Sequence, residues 1–272
     1  MNTPFEVLVD GLPADARWPM DRGLLYGDGL FETMVVREGA IRFEAGHSAR
    51  LAEGCQRLGI NADLPRIWSD ARAAAARHGD ATLRLQVTRG VALARGYTPT
   101  GREQPCAILA VFAPPVAGEL PARIRVSTLT AQLGENPSLA GLKHCNRLEQ
   151  VLARQALQAH SGAFEGLMCS SSGALVSGTM SNVFIEVDGE ILTPALDRCG
   201  VAGVLRAVAL REAGHLGIAV RVTAVAPSAA ARCHALALSN ARMGLVMAHE
   251  LDGRALALSP RLQALAQRVA QL

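Results

Sequence analysis

The chain has 272 residues, of which 50% are hydrophobic and 19% charged, with a formal net charge of +3. That is ample material for one large domain or two ordinary ones. Its basic residues form no stripe, so nucleic acid is not an expected partner, and no apolar run approaches a membrane span. Cys55, Cys106, Cys145, Cys169, Cys199 and Cys233 lie far apart with no C-x-x-C pair. Met1 to Glu6 lack the basic and apolar pattern of a signal segment. No metal site and no disulfide framework are expected, and the reading is a globular protein of a reducing cytoplasm.

The first part reads as strands joined by tight turns. Phe5 to Val9 meets Asp10-Gly11, and Leu30 to Val36 meets Glu38-Gly39 before Ile41 to Phe43. Such turn pairs between apolar runs signal hairpins. A helix is predicted from about His47 to Leu58, with Leu51, Cys55 and Leu58 on one face and Gly59 as its stop. A second helix spans roughly Pro65 to His78. Thr82 to Thr88 and Cys106 to Phe112 read as strands around a glycine-rich loop.

The proline-rich stretch 114–121 reads as a linker, which divides the chain into an N-terminal α+β domain over 1–113 and a C-terminal domain over 122–272. Ile124, Val126 and Thr128 alternate in a strand. The helix after Asn146 puts Leu148, Val151, Leu152 and Ala156 on one stripe. Val183 to Val187, Asp188-Gly189 and Ile191-Leu192 form another hairpin. A helix from about Val204 to Ala213 follows the turn Gly200-Val201-Ala202-Gly203. Leu236 to Ser239 is strand-like, Asp252-Gly253 turns again, and Ser259-Pro260 opens the last helix. The fold class is α+β in two domains with antiparallel or mixed sheets.

Lys143 stands just ahead of the mid-chain helix, in a chain whose basic residues are almost all arginine. Lysine forms imines with carbonyl compounds once burial or a nearby cation lowers its pKa. A lone lysine is ordinarily a surface residue, so the case rests on its surroundings. A phosphorylated carbonyl cofactor would need an anion cup. Gly200 to Leu205, a small-residue turn opening a helix, offers free backbone N–H groups and a helix dipole, although glycine before a helix is also plain turn chemistry. Arg50 offers a charged fork, or simply a solvated helix face.

Four motifs occur in order: Tyr26-Gly27-Asp28-Gly29-Leu30-Phe31-Glu32-Thr33, His47-Ser48-Ala49-Arg50-Leu51, Gly141 to Gln150 around Lys143, and Gly178-Thr179-Met180-Ser181-Asn182-Val183-Phe184. From about residue 5 to 255 the chain resembles the fold-type IV pyridoxal-phosphate enzymes, which include branched-chain and D-amino-acid aminotransferases and 4-amino-4-deoxychorismate lyases. The lysine segment, Arg89-Gly90 and Arg95-Gly96-Tyr97 are most similar to the lyases. The resemblance implies pyridoxal 5′-phosphate bonded to Lys143, which is also the acid/base at the reacting carbon. It implies that Arg50, Val204, Leu205, Ser239 and Asn240 hold the phosphate, and that Thr33 helps move a proton. Arg95, Tyr97 and Tyr26 are implied to face the substrate. It also implies a homodimer with the active site between the two domains. The implied activity is conversion of 4-amino-4-deoxychorismate to 4-aminobenzoate and pyruvate, a step of folate biosynthesis.

One position departs from the pattern. The resemblance implies a glutamate, partnering the cofactor's ring nitrogen, five residues before the asparagine of the Ser-Asn pair. Here that position is Ser177. A carboxylate there favours a protonated ring nitrogen, as an opposite charge does for any titrating group; a hydroxyl does so far less. Transamination leans on the ring as an electron store. Elimination of pyruvate yields an aromatic ring as the leaving group departs, so it tolerates the loss better. A shifted register with another acid in place, an aminotransferase acting on D- or branched-chain amino acids, and a non-catalytic paralogue are the competing readings.

Overall fold

A computed structural model describes residues 6–13, 20–114, 123–160 and 162–272. Phe5 and, Pro114 apart, nearly all of the expected linker lie outside the described residues. The chain divides into two compact units, 1–117 with 142–146, and 118–141 with 147–272.

Unit one is built on six strands with helices against them. In chain order it runs β1 (Glu6–Val9), β2 (Leu12–Pro13), α1 (Arg22–Tyr26), β3 (Gly29–Arg37), β4 (Ala40–Ile41), α2 (Glu44–Leu58), α3 (Leu64–His78), β5 (Ala81–Thr88) and β6 (Cys106–Phe112). The sheet order is β2-β1-β6-β5-β3-β4, and every pairing is antiparallel. The turn pairs take left-handed backbone at both residues, φ 54° and 78° at Asp10-Gly11 and 51° and 77° at Glu38-Gly39. That twist suits a two-residue hairpin. Asp63 caps α3 by accepting from Arg66 N at 3.1 Å, and Ile67, Trp68, Ala71, Ala74 and Ala75 form its buried face. α2 begins three residues before the expected His47. Phe43, at φ 56°, turns the chain into the helix without a capping side chain, so no capping residue marks that start in the sequence.

Unit two runs β7 (Arg123–Leu133), α4 (Leu148–Leu157), β8 (Glu165–Ser170), β9 (Leu175–Gly178), β10 (Asn182–Val187), β11 (Glu190–Pro194), α5 (Val204–His215), β12 (Val220–Thr223), α6 (Pro227–Arg232), β13 (Ala235–Asn240), β14 (Gly244–Leu251), β15 (Arg254–Ala255) and α7 (Pro260–Ala270). Its sheet order is β12-β11-β10-β13-β14-β7-β8-β9, with β15 beside β14. The sheet is mixed: β11–β12, β14–β7 and β7–β8 are parallel. Its core gathers Ile124, Val126, Leu167, Val183, Ile185, Leu236 and Leu238. α4 turns Ala153 and Leu157 inward, while Leu148, Val151 and Leu152 are 77%, 49% and 60% exposed. The apolar stripe expected on this helix therefore faces outward, and a smaller one packs on the sheet.

Candidate active site

Lys143 is strapped to β3 by its own backbone. Phe31 N–H donates to Lys143 O at 2.9 Å, Cys145 N–H donates to Gly29 O at 2.9 Å, and Leu30 and His144 form an antiparallel bridge. The Asn146 amide donates to Gly27 O at 3.2 Å. Gly27 has φ 66°, and a Cβ there would lie 2.1 Å from Asn146 Oδ1, so any side chain would displace that amide. The half-buried Lys143 amine sits 4.3 Å from the centre of the Phe31 ring, a favourable place for a cation. Thr33, two residues along β3, shares the face of Phe31 because side chains alternate along a strand. Arg84 stands opposite Thr33 on β5, with its guanidinium 4.5 Å from the Phe31 ring centre. Lys143 is moreover the chain's only lysine; the rest of its 27 basic residues are arginines.

Beneath this face lies a buried ion cluster. Glu32 alternates with Phe31 and Thr33 and is 1% exposed. It accepts from Arg50 Nε at 2.8 Å and also pairs with the Arg50 Nη2 group, and it meets His47 Nδ1 at 2.7 Å. Burial works against the charge of Glu32, yet the His47 and Arg50 contacts hold its carboxyl below the usual range. His47 Nε2 is buried and has no partner among the described residues. Arg50 is thus oriented by Glu32 through one edge of its fork.

A second ion cluster sits on Asp28. Its carboxylate takes Arg22 Nε at 2.9 Å and Arg89 Nε at 2.7 Å. Arg89 also donates to the Leu58 and Gly59 carbonyls at the end of α2, at 2.7 and 2.8 Å. Burial opposes the charge on Asp28, but the hydrogen bonds from Arg89 and Arg22 lower its pKa. Its stabilising contribution is therefore present above the ordinary carboxylate range and is lost only as the pH falls below it. The exposed residues Arg95 and Tyr97 follow in the loop after β5, and the Tyr97 ring meets Tyr26 edge-on at 5.3 Å.

Unit two holds Val204, Leu205, Ser239 and Asn240, four of the residues expected to meet a phosphate. α5 opens at Gly203 with no side-chain cap and no acid in its first turn, which leaves the helix start suited to an anion. Gly203 is required: a Cβ there would lie 2.0 Å from Asn182 Oδ1. The Asn182 amide donates to Val201 O at 2.9 Å, and Asn182 faces Ser239 across the β10–β13 ladder. Ser239 is 1% exposed, and its hydroxyl has no partner among the described residues. A buried hydroxyl of this kind calls for a ligand, and a phosphate oxygen fits the need. Gly141, two residues before Lys143, pairs with Val201. Asn240 differs from its neighbour. Its side chain donates to Met180 O and accepts from Arg242 and Met243 N–H, so it shapes the turn.

Ser177 is buried on β9 and donates its hydroxyl proton to Gly178 O at 2.8 Å. Close by in the same unit is a buried acid that the sequence reading passed over, Glu165 at the start of β8. Its carboxyl oxygens accept from Gly166 N, Thr179 N, Met180 N and Ser181 Oγ at 2.9–3.2 Å, and from the Thr179 hydroxyl. Five donors use up the acceptor sites of one carboxyl group. Glu165 thus builds the Gly178–Ser181 turn.

The family model for amino-transferase class IV matches residues 29–251. The chain belongs to that family. Within the class IV family, it is 38% identical to the 4-amino-4-deoxychorismate lyase of Pseudomonas aeruginosa, whose crystal structure superposes with a TM-score of 0.91 over 98% of each chain. It is 30% identical to the aminodeoxychorismate lyase of Vibrio harveyi, over 79% of both chains. It is also 30% identical to a putative branched-chain-amino-acid aminotransferase of Methanocaldococcus jannaschii, over 86% of this chain and 82% of that one. The fold-type IV expectation thus holds, as a mixed α/β architecture. Arg22, Arg84 and Glu165 are residues of these clusters that the sequence reading did not name, and Asp28, Glu32 and His47 stood in its motifs without a role. Only their later burial or pairing marks them.

Proposed function

We propose that this enzyme uses pyridoxal 5′-phosphate to convert 4-amino-4-deoxychorismate to 4-aminobenzoate and pyruvate. One observation carries the reading: its only lysine is strapped to the strand bearing Thr33, in a chain 38% identical along its length to a lyase of that name. When bound, the cofactor supplies a conjugated, electron-withdrawing ring at the substrate's amine-bearing carbon. The α5 N-terminus at Val204 and Leu205, the Ser239 hydroxyl and Arg50 would hold its phosphate, and Lys143 its aldehyde carbon.

With cofactor and substrate bound, Lys143 Nζ would take the proton from the amine-bearing carbon. The enolpyruvyl C–O bond breaks, its electron pair leaves with oxygen, and the ring becomes aromatic. The Thr33 hydroxyl would return a proton to the departing enolate. Arg95, Tyr97 and Tyr26 would bind the substrate carboxylates, where an arginine fork fits well. Ser177 would stand at the ring nitrogen with its proton already given to Gly178 O, offering lone pairs and no charge. That weakens the ring as an electron store and favours elimination over transamination. The similarity to a putative aminotransferase keeps transamination as the second reading.

The reading includes a homodimer in the cytoplasm. The outward apolar stripe of α4 supports the dimer, and the scattered cysteines support the compartment. Borohydride reduction with added cofactor tests the site. The lysine-bearing tryptic peptide should gain the cofactor's mass, and Lys143→Arg should abolish that gain and cut turnover by at least about 10³-fold. Wild-type protein that acquires no added mass would contradict the cofactor assignment.

A further inference from the structure

Arg22 is a charged residue only 3% exposed, and the reaction as derived above does not use it. Its guanidinium meets three kinds of partner. Nε goes to Asp28, Nη2 donates to Tyr97 O at 2.6 Å, and Nη1 reaches Gly96 O at 3.4 Å. The same group lies 4.9 Å from the centre of the Tyr26 ring. The mount is rigid, because Arg22 N–H donates to Gly90 O at 2.8 Å and Asp21 bridges Val91. Asp21 also accepts from the Thr88 hydroxyl at 2.7 Å. The distal part of the loop is closed separately, where Glu103 accepts from Thr100 and Gly101 N–H at 2.7 and 3.0 Å.

From this geometry we propose that Arg22 is a positioning residue for substrate recognition. It latches the loop between β5 and β6 by two consecutive carbonyls, and so fixes the aim of Arg95 and Tyr97 and the edge of the Tyr26–Tyr97 pair. The planar fork is what the task needs. A lysine reaches one carbonyl as a point charge, whereas arginine holds Asp28 and two carbonyls at fixed angles. Asp28 retains Arg89 when Arg22 is removed, so the cluster keeps a counter-charge and the unit keeps its reason to fold. The ligand class is a carboxylate-bearing substrate. The proposal rests on the function given above for the part played by Arg95 and Tyr97.

The test compares the holoenzyme with its Arg22→Lys and Arg22→Met variants in two ways. Hydrogen exchange of residues 94–104 should speed up in Arg22→Met by about tenfold or more, with β3 and β5 unchanged. The KM for 4-amino-4-deoxychorismate should rise by about tenfold or more, with kcat within about twofold and cofactor loading intact. Arg22→Lys should fall between. Unchanged exchange in the loop overturns the latch whatever the activity. Faster exchange with unchanged KM, or a fall in kcat that tracks lost cofactor, overturns its role in substrate recognition. A wild type that turns over none of this substrate, while loop exchange still rises in Arg22→Met, counts against the proposed reaction and supports the latch.

Discussion

At the residue scale the decisive pair is Lys143 and Ser177. Lys143 has no competitor, since no other side-chain amine exists in the chain. Ser177 separates two chemistries that the same fold can house. Its hydroxyl proton is committed to Gly178 O, and the only nearby acid of the turn, Glu165, is saturated by donors. On the proposed reading, Ser177→Glu adds the missing charge at the ring nitrogen. The ratio of amino-acid half-reaction rate to pyruvate-release rate should then rise by about tenfold or more, about 1.4 kcal/mol of barrier. Stopped-flow loss of the cofactor's visible band with D-alanine or L-glutamate measures the first rate. No change in that ratio would remove Ser177 from the ring nitrogen.

At the element scale, some features were open to reading in the sequence and others were not. The hairpins at Asp10-Gly11, Glu38-Gly39, Asp188-Gly189 and Asp252-Gly253 were legible because the left-handed backbone they adopt restricts which residues fit. α7 was legible through Ser259, whose side chain does cap it; α3 is capped by Asp63, a signal the sequence reading did not use. The start of α2 was not, because a left-handed Phe43 leaves no compositional trace. The orientation of α4 was not legible either. Leu148, Val151 and Leu152 give α4 its apolar periodicity, but periodicity does not say what covers a stripe. Of the site, the lysine and the glycine cup were open to view. The Arg22–Asp28–Arg89 cluster was not, because residues 61 apart meet only in the folded unit. The α4 stripe carries its own expectation. In sedimentation the wild type should have twice the mass of the chain, and Leu152→Asp should shift it toward the monomer with helix content intact. A monomeric wild type would contradict the dimer.

At the scale of the whole molecule, each of the two units carries its own set of candidate residues. Unit one carries the lysine, the face of Phe31 and Thr33, and a loop fastened by buried charge. Unit two carries the uncapped helix start and a buried serine hydroxyl that has no partner among the described residues. Each set is locally consistent: the glycines at 27 and 203 stand where an asparagine side chain packs closely against the backbone. Buried charges are costly unless paired, and in unit one the buried Glu32 and the half-buried Asp28 are each met by two basic side chains. These features support a class IV enzyme whose chemistry is elimination. The most direct measurement is incubation of the purified protein with 4-amino-4-deoxychorismate, with pyridoxal phosphate added and withheld, following 4-aminobenzoate and pyruvate together. The account predicts equimolar release of both, dependent on the cofactor and lost in Lys143→Arg. Turnover of amino acids to oxo acids, with no 4-aminobenzoate formed from that substrate, would contradict it.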